Sequence, residues 1–135
     1  MSVERLANGI EVGVVTTNVG AMADFYGNFL GLPHQADLDF PGGSMKRYAV
    51  GNNVLKLVTY DVAPAAPTVP GGGRAQAGLR YITLVVANVG QAARQAAEAG
   101  HPVVEPPTDF AAVPGMGWCF VADPDGNWVE LVGPI

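Results

Sequence analysis

With 135 residues, 49% of them hydrophobic and only 14% charged, the chain can bury a core as one domain and is too apolar to stay disordered. Its net charge of −5 argues against nucleic acid or an anionic membrane as partner. A single cysteine, Cys119, excludes an internal disulfide and fits a reducing cytoplasm; no signal peptide is expected, and no apolar run nears the roughly 20 residues of a membrane helix.

In chain order, residues 10–17 read as a strand, with Ile10, Val12 and Val14 alternating with Glu11, Gly13 and Val15. Asn18 is placed to cap a helix over 19–30, whose buried face is Val19, Met22, Phe25, Tyr26, Phe29 and Leu30. Gly31 closes that helix and Pro33 forbids its continuation. Three strands are expected next, over 34–40, 45–50 and 54–60, separated by glycine-containing turns. Residues 61–78, with Pro64, Pro67, Pro70 and the triplet Gly71-Gly72-Gly73, have no periodicity and read as a linker.

The pattern then restarts. A strand over 79–87 leads to Asn88, a helix over 89–99, Gly100 and Pro102. A short strand over 103–105, a loop over 106–115 and a strand over 117–122 follow. The cluster Asp123-Pro124-Asp125-Gly126-Asn127 is a turn. It opens a last strand with Trp128, Glu130 and Val132 on one face and Val129 and Leu131 on the other.

The halves can be laid on each other. Asn18-Val19-Gly20 recurs as Asn88-Val89-Gly90, and Asn53-Val54-Leu55-Lys56-Leu57-Val58 as Asn127-Trp128-Val129-Glu130-Leu131-Val132. Internal self-similarity of this kind predicts an α+β fold of two βαβββ modules, 9–60 and 79–132, within a single domain spanning 1–135. Two such sheets side by side would form a curved, partly open trough with the helices outside. Pseudo-symmetry would then bring Glu11, Lys56, Tyr81 and Glu130 together.

On the Phe25-Tyr26…Leu30-Gly31-Leu32 helix end, the duplication and the run from Asp123 to Glu130, the chain resembles the vicinal oxygen chelate superfamily over about residues 9–132. That group holds glyoxalase I, bleomycin-resistance proteins, methylmalonyl-CoA epimerase and extradiol dioxygenases. The resemblance implies paired βαβββ modules, an open trough and a homodimer. In metal-binding members, histidines and glutamates on four strands hold a divalent metal. Here Glu130 matches the last glutamate, while Glu11, Lys56 and Tyr81 stand where a histidine, a glutamate and a histidine are usual. A protonated lysine has no lone pair for a metal. No metal and no other cofactor is therefore expected.

Two readings of Glu11, Lys56, Tyr81 and Glu130 stay open: a metal-free catalytic centre, or a structural ion pair filling a vacated site. On the first, a carboxylate near Lys56 acts as base and Tyr81 as acid or oxyanion donor. Lys56, flanked by apolar residues on its strand, is expected to form a buried ion pair with Glu130 or Glu11. Arg47, Phe110, Met116, Trp118, Phe120 and Trp128 are candidates to line a ligand pocket. His34 and His101 read as surface residues, Cys119 as an inert core thiol, and the glycine triplet carries no phosphate-loop context. The function expected is a metal-independent isomerase or lyase moving a proton on a small organic molecule. The alternative is a non-catalytic binding or resistance protein. Lys56 and Tyr81 argue against a metal-dependent glyoxalase or dioxygenase.

Overall fold

A computed structural model describes residues 1–135 as two compact units, Met1–Ala65 and Ala66–Ile135. The first unit runs β1 (Glu11–Val15), α1 (Val19–Ala23), a π-helical continuation (Asp24–Phe29), β2 (His34–Phe40), β3 (Gly43–Val50) and β4 (Asn53–Tyr60). The second runs α2 (Gly72–Ala75), β5 (Tyr81–Val85), α3 (Val89–Glu98), β6 (Val103–Asp109), β7 (Met116–Ala122) and β8 (Trp128–Pro134). Each unit holds one four-stranded mixed sheet, ordered β1-β4-β3-β2 and β5-β8-β7-β6. In each, the first strand lies parallel to the last and the other pairings are antiparallel. Neither sheet closes into a barrel.

Side-chain alternation gives each sheet two unlike faces. In the first unit Tyr48, Leu55 and Leu57 are buried on the face under the helix, which contributes Met22, Phe25 and Tyr26. In the second, Cys119, Val121, Val129 and Leu131 are buried under Val89, Ala93 and Ala96 of α3. Each fully buried aliphatic side chain of this kind contributes about 1.5–3 kcal/mol. The remaining face of each sheet is turned away from its helix and carries the candidate residues, except Phe110, which lies in the loop between β6 and β7.

Local details depart from expectation. The first helix changes to i→i+5 bonding, with Leu30 N–H donating to Phe25 O at 2.9 Å. This leaves the neighbours Phe25 and Tyr26 both buried, edge to face at 4.9 Å. Asn18 does not cap that helix with its side chain. Instead its own N–H donates to Thr16 Oγ1 at 2.9 Å, whereas Asn88 Oδ1 does accept from Gln91 N–H at 2.7 Å. The strand at β6 runs past its expected end through Pro106 and Pro107. It is the edge strand of its sheet, where proline's missing N–H costs least, and its register shifts there. The linker contains one turn of helix, α2.

Candidate functional site

The site of the first unit is built by register. A two-residue turn at Gly51-Asn52 joins β3 to β4, and Gly51 takes φ +57°. Counting outward from that turn sets Arg47 opposite Lys56. The parallel pairing of β1 sets Glu11 beside Val54 and Gly13 beside Lys56. Asn53 secures it, its Oδ1 accepting from Ile10 N–H at 2.9 Å. Glu11, Lys56 and Arg47 therefore share the face turned away from the helix.

Arg47 clasps the Glu11 carboxylate with both terminal nitrogens, Nη1 to Oε1 at 3.0 Å and Nη2 to Oε2 at 2.9 Å. Such fork-on-fork pairs combine charge with directional bonding. Lys56 Nζ lies 3.5 Å from Glu11 Oε1, an ion pair longer than a good hydrogen bond. The Arg47 bonds, with the Arg47 and Lys56 charges behind them, hold the Glu11 carboxyl below its ordinary range against a smaller opposing effect of desolvation. The same bond raises Arg47. Lys56 pairs with Glu11, one of its two expected partners, but the pair is not buried. The Glu11 side chain is 46% exposed and that of Lys56 27%.

The second unit repeats the scaffold with different chemistry. Buried Asp123 organises the turn: its Oδ1 accepts from Asp125 N–H at 3.0 Å and Asn127 N–H at 2.9 Å, and its Oδ2 accepts from Asn127 Nδ2 at 2.9 Å. The turn launches β8, which carries Trp128 and Glu130 on the face away from α3. Glu130 lies beside Thr83, whose hydroxyl donates to its Oε1 at 2.8 Å. Phe120 occupies the place of Arg47, across from Glu130 on β7. Its ring centroid is 5.0 Å from Tyr81, 5.8 Å from Trp118 and 5.1 Å from Trp128. Here a carboxylate stands against aromatic rings, whereas in the first unit it stands against cations.

Met116 begins β7 on this same face, across from Pro134, and Phe110 sits half-exposed in the loop after β6, outside the ring cluster. Cys119 faces α3, fully buried; burial, with the Glu130 charge behind it, pushes its thiol up. His34 is half-exposed and holds Asp37 at 2.8 Å. A depression of about 590 Å³ lies on the helix side of the first unit, between Gly27, Gly31, His34 and Tyr48. None of the candidate residues lines it, and Asp24 at its rim already accepts from Asn28.

Reasoning from sequence missed two partners: Arg47 as the clasp on Glu11, and Thr83 as the donor to Glu130. The hairpin count would have found Arg47 next to Lys56. Thr83 is two residues after Tyr81 and so on the same face of its strand. As to a metal, Glu11 is engaged by a guanidinium, and Lys56, protonated in its ion pair with Glu11, has no lone pair to offer. No three His, Cys, Asp or Glu side chains cluster as a metal would need. This donor set does not fit the group.

The family model described as Glyoxalase/Bleomycin resistance protein/Dioxygenase superfamily matches residues 10–131. A glyoxalase family protein from Enterococcus faecalis is 25% identical at TM-score 0.64, with 96% of each chain covered. A glyoxalase family protein from Bacillus cereus reaches TM-score 0.82 at 12% identity, covering 98% of this chain and 96% of that one. The antibiotic-binding protein TnmS3 from Streptomyces sp. CB03234 is 20% identical at TM-score 0.69, covering 100% and 99%. No curated protein matches the chain.

Proposed function

The chain belongs to the glyoxalase/bleomycin resistance protein/dioxygenase superfamily, and from that premise we propose that it is a metal-independent isomerase or lyase moving a proton on a small organic molecule. The observation that supports this reading is the Glu11–Arg47–Lys56 cluster, in which two cations face one carboxylate. In the proposed arrangement, 1–135 works as one domain, and modules 9–60 and 79–132 bring Lys56 and Glu130 to one trough. Glu130, with one oxygen held by Thr83, takes a proton from carbon beside a carbonyl. Lys56 stabilises the oxyanion that develops, and Tyr81, half-exposed at the same face as Glu130, serves as proton donor. Glu11 is committed to Arg47 and positions Lys56. A homodimer completes the trough's edges, and a cytoplasmic setting suits the one free thiol.

The test is proton exchange from deuterated water into a panel of small carbonyl compounds. Wild type is expected to exchange one of them, and Glu130→Gln to lose exchange while still binding it. Absence of exchange across the panel, or stoichiometric zinc, nickel, manganese or iron in tag-free protein, overturns the reading. A disulfide formed between Lys56→Cys and Glu130→Cys would support the shared trough. A second reading, sequestration of an aromatic compound, is favoured by the ring cluster of Tyr81, Trp118, Phe120 and Trp128. It predicts tight binding with no exchange.

A further inference from the structure

The two sheets differ at one position beside the central strand, and the difference leaves room. In the second unit Glu130 has Thr83 next to it on the parallel edge strand, and the threonine hydroxyl satisfies the carboxylate at 2.8 Å. The equivalent neighbour of Lys56 is Gly13, which has no side chain. A Cβ built at Gly13 would meet only Val58 Cγ2, at 3.9 Å, and Gly13 is solvent-exposed. The backbone there does not need glycine, since Gly13 is not among the glycines of positive φ. Open space one side chain wide therefore lies next to Lys56 on the neighbouring strand.

The charges around the gap are unbalanced. Glu11 spends both oxygens on Arg47 and reaches Lys56 only at 3.5 Å, so two cations face one carboxylate. Lys56 carries three donors. The residues flanking the gap along β4 are Val54, half-buried, and Val58, buried, and half-buried Met45 lies across from Val58 on β3, so the apolar surface open to the body of an acid whose head sits there is that of Val54 and Met45.

We infer that the gap at Gly13 is an anion subsite that receives the carboxylate of a small organic acid, hydrogen-bonded by Lys56. The inference rests on the placing of Lys56 in the ligand-binding centre and adds the class of ligand: an acid with a short apolar body. Arg47 and Glu11 hold the subsite's cation in position and do not compete for the ligand.

The experiment is an amide-resolved NMR titration of the full chain with hexanoate, with hexanol as the uncharged control and inorganic phosphate as the rival oxyanion. Hexanoate is expected to shift the amides of Glu11, Gly13 and Lys56 saturably, and hexanol to leave them in place. Gly13→Thr, which copies the other module and suits a strand, fills the gap without touching any charge. Lys56→Gln removes the charge without filling the gap. Each is expected to weaken hexanoate about tenfold or more, the effect of one charge-assisted hydrogen bond. Phosphate displacing hexanoate from the same amides supports an oxyanion site; phosphate binding without any response to hexanoate overturns the carboxylate assignment. Hexanoate binding Gly13→Thr as well as wild type, or hexanol matching hexanoate, also overturns it. Because no turnover is measured, carboxylate binding without catalysis leaves this inference standing and removes only the enzymatic reading; catalysis without carboxylate binding does the reverse.

Discussion

Replacing Gly72 by alanine tests how the linker shapes the aromatic face. Gly72 is buried, with φ +58°, and an added Cβ would be driven into the Trp128 indole, 2.8 Å from Cγ and closer still to the neighbouring ring atoms. Two costs add. A left-handed backbone costs a residue with a Cβ roughly 1–2 kcal/mol. Overpacking against a side chain that cannot retreat adds about 1–3 kcal/mol. Trp128 is constrained by Phe120 on one side, and Arg80 ties the linker down, with Nε donating to Gly72 O at 2.9 Å and Nη2 to Val69 O at 2.6 Å. The total, roughly 2–5 kcal/mol, would lower Tm by on the order of 10 °C in a chain of this size. If the linker instead lifts off, the loss is smaller and Trp128 becomes wetter. The assay is therefore thermal denaturation together with tryptophan emission, in a Trp118→Phe background so that Trp128 alone reports. Either a fall in Tm or a red-shifted, more quenchable emission is expected, and Arg80→Met should move emission the same way. If Gly72→Ala leaves both Tm and emission unchanged, the linker does not rest on Trp128.

Three further outcomes follow from the site. Glu11 has a lowered pKa in the folded chain, so its contribution to stability is full above the ordinary carboxylate range and is lost as pH falls through the folded value; the stability gap between wild type and Arg47→Met should shrink in acid, and a gap that widens refutes the pairing. Lys56→Met should barely change Tm, because the pair it breaks is only partly buried, yet should abolish ligand binding or exchange; a Tm loss like that of a core truncation would refute the partly solvated placement. Cys119 should resist a maleimide in the native state and react only on unfolding, given its full burial and raised thiol pKa; prompt labelling of native protein would contradict the packing under α3.

How much of the site was legible depends on the residue. Glu130 announces itself as a carboxylate inside an apolar strand after a dense turn, and Asp123 in fact holds that turn by three hydrogen bonds. The environment of Lys56 was not legible: its flanking apolar residues suggest burial, yet its side chain is 27% exposed, because strand neighbours say nothing about what covers the face. Phe110 looks like a pocket wall by composition, but a loop residue's position depends on backbone that no periodicity describes.

The sequence by itself determined the duplicated βαβββ order, the faces of the strands and the glycines that end the helices, Gly31 at φ +70° and Gly100 at φ +82°. These are local properties, carried by periods of two and 3.6 residues and by the steric needs of single residues. Only the tertiary structure decided that Arg47 and not Lys56 is the principal partner of Glu11, that Thr83 serves Glu130, and that Gly13 leaves a gap beside Lys56. Those facts depend on the register of parallel strands separated by more than 40 residues, and a slip of one residue would turn every side chain to the other face. Nothing in the local pattern encodes that register; it is set where the buried faces of Leu55 and Leu57, and of Val129 and Leu131, lock under their helices.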